Sequence, residues 1–91
     1  MEVEYDPDKS ATNLKKHGLS LEQAKQLWKV SAVVIRARTV GEDRFMIIGP
    51  LGKKLYSAIF TMRGEHARLI SARRSHRKEE NIYHETVKKK D

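Results

Sequence analysis

The feature that most constrains this chain is a single change in the period of its apolar residues near Ala32. Before it, Leu21, Ala24, Leu27 and Trp28 recur at helical spacing. After it, Val33, Ile35 and Ala37 alternate with Val34, Arg36 and Arg38, which is the period of a strand. Helices and strands are therefore segregated along the chain, which predicts an α+β domain: an antiparallel sheet of consecutive hairpins packed against helices.

Local signals set the expected boundaries. Val3 to Tyr5 is a short extended start. Asp6-Pro7 supplies an N-cap acceptor followed by proline at the first helical position. Ala11 and Leu14 are expected to line the buried face of that helix, and Gly18 suits the left-handed residue that ends it. Ser20 and Gln23 form a capping-box pair that opens a second helix. Gly41 marks a turn, Arg44 to Ile48 reads as the return strand, and Gly49-Pro50-Leu51-Gly52 reads as a break. Lys54 to Met62 is the longest strand candidate, and Arg63-Gly64 turns it into a strand from His66 to Ala72 with His66, Arg68 and Ile70 on one face. Ser75 is expected to cap a last helix whose aliphatic contacts are Ile82 and Val87. The predicted order is β-α-α-β-β-β-β-α, with residues 1–87 one domain and 88–91 a frayed basic tail.

With 91 residues and no cysteine, disulfides, cysteine-held zinc and thiol catalysis are excluded, and a reducing, cytoplasmic setting is expected. No apolar run approaches the roughly 18 residues of a membrane span, and the acidic start lacks the apolar segment of a signal peptide. The formal net charge of +7 calls for an anionic partner: nucleic acid, then an acidic protein, with a membrane surface last.

The densest chemical signal is Arg63, Arg68, Arg73, Arg74, Arg77 and Lys78 against the single acid Glu65. Arginine's planar fork suits phosphate, and Arg73, Arg74 and Arg77 surround a helix start that favours anions. Tyr83 could stack on a base. A solvated basic face explains the same residues without function. Likewise Lys15, Lys16 and His17 offset a helix dipole, and Gly41-Glu42-Asp43-Arg44 can be a plain acidic turn. The histidines His17, His66, His76 and His84 have no i, i+4 zinc spacing, no acidic cluster offers an obvious magnesium site, and no cofactor motif is present. Chemistry on RNA would then use the substrate's own 2′-OH as nucleophile, with a base, an acid and cations around the phosphate.

The whole chain resembles the BrnT toxin family, whose fold is similar to that of the RelE ribonucleases. The resemblance is carried by Tyr5-Asp6-Pro7 with Lys9, Asn13, Lys16, His17 and Gly18; by Gly41-Glu42, Arg44 and Gly49; by Thr61-Met62-Arg63-Gly64-Glu65; and by Arg68-Leu69-Ile70-Ser71-Ala72-Arg73-Arg74 through Arg77 and Glu79 to Tyr83. It implies a RelE-like fold and a sequence-tolerant, metal-independent endoribonuclease that halts translation. It also implies a BrnA-like ribbon-helix-helix antitoxin in a 2:2 complex, with operator DNA bound only through that partner.

In such an enzyme the expected phosphate stabilisers are Arg73 and Arg77, helped by Arg44 and Arg63. Glu42 or His17 is the expected base, beside Lys16, and Tyr83 the stacking or orienting group. Lys9, Lys16, Arg68, Arg74, His76 and Lys78 are expected RNA contacts, and the His76 imidazole is a further acid or base candidate. The competing reading is a non-catalytic module that binds RNA, DNA or an antitoxin through the same basic face.

Overall fold

The computed structural model describes residues 1–37 and 40–89. Among them run β1 (Val3–Glu4), α1 (Pro7–His17), α2 (Leu21–Ala24) continued by a 3-10 helix (Lys25–Lys29), β2 (Val33–Ala37), β3 (Arg44–Leu51), β4 (Lys54–Arg63), β5 (His66–Arg74) and α3 (Arg77–Lys89). Arg38, expected to continue the outward set of β2, and the tail residues Lys90 and Asp91 lie outside the described residues.

The caps form as their sequences dictate. The Asp8 N–H donates to Asp6 Oδ1 at 2.8 Å. Gly18 takes φ 72°, and its N–H reaches the Leu14 carbonyl. The Gln23 N–H donates to Ser20 Oγ at 3.0 Å, while the Ser20 N–H donates to Gln23 Oε1 at 2.9 Å. The second helix keeps only one α turn before tightening to 3-10 geometry, so its stripe survives but its pitch changes. At α3 the cap is displaced by one residue: Ser75 Oγ bonds Ser57 Oγ, and Glu79 reaches back to the His76 N–H instead.

The five strands form one mixed sheet in the order β1-β5-β4-β3-β2. The hairpins β2 to β5 are antiparallel, as expected. The wholly antiparallel sheet is corrected by β1, which lies parallel to β5 with Val3 opposite Ala67 and Glu4 opposite Arg68. No turn joins these two strands; the rest of the fold separates them in sequence, so a hairpin rule cannot find the pairing.

The predicted break at Gly49-Pro50 is likewise strand, continuing to Leu51 opposite Lys54. Pairing with β2 stops at Ile48, so this end of β3 has a partner on one side only. A residue without an N–H is tolerated there. Gly49 passes beneath the 3-10 helix, where a Cβ would lie 3.0 Å from that of Ala32.

One face of the sheet buries Ile47, Ala58, Phe60 and Leu69 against Leu21 of α2 and Leu27 of the 3-10 helix. Trp28 meets Phe60 edge-on and Phe45 stacks on it, with centroids 5.1 and 5.5 Å apart. On the other face α3 packs Tyr83, Ile82 and Val87 on Val33, Ile35, Ile48 and Met46 of β2 and β3. α1 buries neither Ala11 nor Leu14, which is 47% exposed; its buried residues are Ser10 and Asn13. This helix lies along polar backbone, where hydrogen-bonding side chains serve better than apolar ones. The Leu21 N–H donates to Ser10 Oγ, and Asn13 bonds the backbone of Leu19 and Ala72.

Candidate nucleic-acid interface

Register places the arginines. The row Val33, Ile48, Ser57, Arg73 and the row Ile35, Met46, Ile59, Ser71 lie on the face that carries α3. Thr61 is an even number of residues from Ser57, so Arg68 opposite it shares that face, as does Glu4 beyond. Arg68 and Arg73 are five residues apart and in a regular strand would point oppositely. A β-bulge resolves this: Ile59 pairs with Ser71 but Phe60 with Leu69, leaving Ile70 as the extra residue. The expected set His66, Arg68, Ile70 is thus corrected to His66, Arg68, Ser71, Arg73.

α3 covers the β2–β3 part of this face. Beyond the residues α3 covers, Val33, Ile35, Met46 and Ile48, this face carries Arg44, Arg63, Arg68 and Arg73, each with a carboxylate nearby. Glu42 lies between two arginines, Oε1 being 3.9 Å from Arg44 Nε and Oε2 4.0 Å from Arg63 Nη2. Both distances exceed hydrogen-bond length, so the guanidinium donors are not consumed. Arg44 Nε has little contact with solvent and no hydrogen-bond partner. Thr61 Oγ1 holds the Asp43 carbonyl at 2.8 Å, fixing the turn that carries Glu42 to β4. Arg68 faces Glu4 at 3.7 Å, and His66 faces Glu2 at 3.1 Å.

Arg73 is held differently. Both of its terminal nitrogens donate to Glu79 at 2.8 Å, in a fork that also receives Ser57 Oγ and the His76 N–H. Burial opposes ionisation of Glu79, but the hydrogen bonds from Arg73, His76 and Ser57 outweigh it and hold the carboxyl at about 2. The same fork raises the pKa of Arg73. Arg73 therefore locks the start of α3 to the sheet, with its terminal nitrogens engaged rather than free for phosphate.

The remaining expected site residues divide. Arg77, Lys78 and His76 are exposed at the start of α3. Lys9, Lys16 and His17 line a cleft between α1 and β5 together with Ile70 and Ser71. Arg74 lies on the opposite sheet face from Arg73, with its guanidinium 5.9 Å from the Tyr56 ring centroid. Tyr83 is not presented for stacking: it is 8% exposed in the core under α3, and its hydroxyl donates to the Ser31 carbonyl. Sequence reading gave no role to Ser57, Asn13 or Glu4. Ser57 reaches Glu79 across 22 residues and Asn13 reaches Ala72 across 59, pairings with no local signal, whereas Glu4 could have been sought as a partner for the basic cluster.

Among the described residues, no group of three or more His, Asp or Glu side chains converges as a metal-holding set. No helix there is long and apolar enough to cross a membrane. No curated protein matches the chain. Residues 5–79 match the family described as ribonuclease toxin, BrnT, of type II toxin-antitoxin system, a span containing Glu42 and all four arginines of the open face. The chain therefore belongs to the BrnT family of ribonuclease toxins, whose activity implies an antitoxin partner.

Proposed function

We propose that this toxin is a metal-independent endoribonuclease of RelE-like fold that uses the RNA 2′-OH as nucleophile. The observation that carries the reading is Glu42, set loosely between Arg44 and Arg63 on the open sheet face. Glu42 takes the 2′-OH proton as the oxygen attacks phosphorus. The bond from phosphorus to the 5′-oxygen breaks, and that oxygen takes a proton from solvent water. A 2′,3′-cyclic phosphate and a 5′-hydroxyl end result. Arg44 and Arg63 donate to the non-bridging oxygens as charge gathers on them, a task that the unsatisfied Arg44 Nε suits. Arg68 and the exposed Arg77, Lys78 and His76 carry the flanking backbone.

The protein acts in the cytoplasm and is neutralised there by a ribbon-helix-helix antitoxin in a 2:2 complex, through which alone operator DNA is bound. The net charge of +7 supports an acidic antitoxin surface.

The test is incubation of total RNA in excess EDTA with the wild type, Glu42→Gln and Arg44→Ala/Arg63→Ala. Cleavage by wild type alone, with cyclic phosphate ends, is the expected result. A second reading, a non-catalytic binding module, is favoured by the carboxylates that already face Arg44, Arg63, Arg68 and Arg73. It predicts intact RNA in all three reactions.

A further inference from the structure

β1 ends at Glu4, opposite Arg68, and farther along the same edge of β5 Asn13 takes up the backbone of Ala72. Between these points the bulge leaves Ile70 and Ser71 in a cleft of about 210 Å³ walled by Lys9, Lys16 and His17 of α1. A cleft of this size, open to solvent, admits a hydrated anion. Lys9 and Lys16 are two helical turns apart and share one side of α1.

The charges here differ from those of the arginine face. Each of Arg44, Arg63, Arg68 and Arg73 has a carboxylate oxygen within 4.0 Å. Lys9, Lys16 and His17 are exposed, and none forms an ion pair among the described residues. Ser71 belongs to both places: it lines the cleft and shares its sheet face with Arg68 and Arg73. A strand lying across the arginines can therefore continue into the cleft without turning round the molecule.

We propose that the α1–β5 cleft is a second phosphodiester subsite, holding a backbone phosphate of the same RNA strand a few nucleotides away from the one cleaved. The inference rests on the ribonuclease reading for its ligand. A lysine is a compact, mobile point charge, suited to holding a backbone at any sequence; such contacts position the strand and do not read it.

The test uses a fully 2′-O-methylated RNA oligonucleotide, which lacks the attacking hydroxyl. Its affinity is measured by fluorescence anisotropy across a potassium chloride series for wild type, Lys9→Ala/Lys16→Ala and Lys53→Ala/Lys54→Ala. The control removes the same charge at the β3–β4 turn, and urea midpoints confirm that both variants fold. At ~0.7 per phosphate for single strands, the slope of log affinity against log salt should fall by about 0.7 when this one phosphate contact is lost in Lys9→Ala/Lys16→Ala, and by much less for the control. Equal slopes for the two variants, an unchanged slope for the first, or no binding by wild type overturns the subsite. Because this probe cannot be cut, the result is independent of the total-RNA assay, where failure of the ribonuclease reading shows as uncut RNA.

Discussion

The carboxamide of Asn13 exchanges a pair of hydrogen bonds with the backbone of Ala72, 59 residues away: Nδ2 donates to the carbonyl at 2.8 Å and Oδ1 accepts from the N–H at 3.1 Å. A side chain here does the work of a neighbouring strand. The same Nδ2 donates to the Leu19 carbonyl at 2.7 Å, tying the exit of α1 to the sheet.

Asn13→Leu would leave these buried backbone groups without partners. Each such group costs ~1–3 kcal/mol, and partial relaxation should bring the total to about 3 kcal/mol. Urea unfolding checks this, with the midpoint falling at unchanged slope. A loss below about 1 kcal/mol would mean that water replaces the carboxamide.

Glu79 predicts an acid-sensitive lock. Its carboxyl is lowered from 4.5 to about 2 in the folded chain, and its side chain is 12% exposed. A carboxylate with a depressed folded pKa stabilises the fold above its unfolded value and loses that contribution as pH falls through the folded one. At ~1.36 kcal/mol per unit the contribution is about 3 kcal/mol at neutral pH, declining between about 4.5 and 2. Glu79→Gln should therefore be less stable than wild type by that order at pH 7, and the gap should close toward pH 2. A gap independent of pH would assign the loss to packing instead.

The extent to which the fold is legible in the sequence follows the range of each interaction. Asp6, Gly18 and the Ser20–Gln23 pair act within a few residues, and each cap is both readable and formed. The β2 to β5 hairpins are readable for the same reason. The β1–β5 pairing, the Asn13–Ala72 clasp and the bulge at Ile70 arise between distant segments and leave no local pattern. That bulge alone brings Arg73 to the face of Arg68, where it locks the start of α3 to the sheet. Arg44, Arg63 and Glu42 could be nominated from charge type, but their convergence depends on strand register. Tyr83 lies in the core rather than open to a base, a difference its sequence does not show because a tyrosine suits either place.

Gly49 yields a packing prediction. Its Cβ, if present, would stand 3.0 Å from Ala32 Cβ, 3.2 Å from Leu27 Cδ2 and 3.3 Å from Val30 Cγ2. Gly49→Ala should cost about 1–3 kcal/mol through overpacking. At ~4–8 °C per kcal/mol for a domain of this size, thermal unfolding should show a drop in Tm of at least several degrees. An unchanged Tm would mean that the 3-10 helix yields freely.

Glu42 gives binding and cleavage opposite signs. In the resting protein its carboxylate stands 3.9 and 4.0 Å from the two guanidinium groups that the proposed mechanism aims at phosphate. Glu42→Gln removes a negative charge from the path of an anionic strand, so a 2′-O-methylated oligonucleotide should bind several-fold tighter. Cleavable RNA should meanwhile be cut ~10²–10⁴-fold more slowly, because the base is gone. Arg63→Ala should weaken binding and slow cleavage by ~10²–10³-fold. The two assays together separate the roles: tighter binding with an unchanged cutting rate would remove Glu42 from the chemistry and leave it a gatekeeping charge. Tighter binding with the rate lost is the result that general-base chemistry at Glu42 requires.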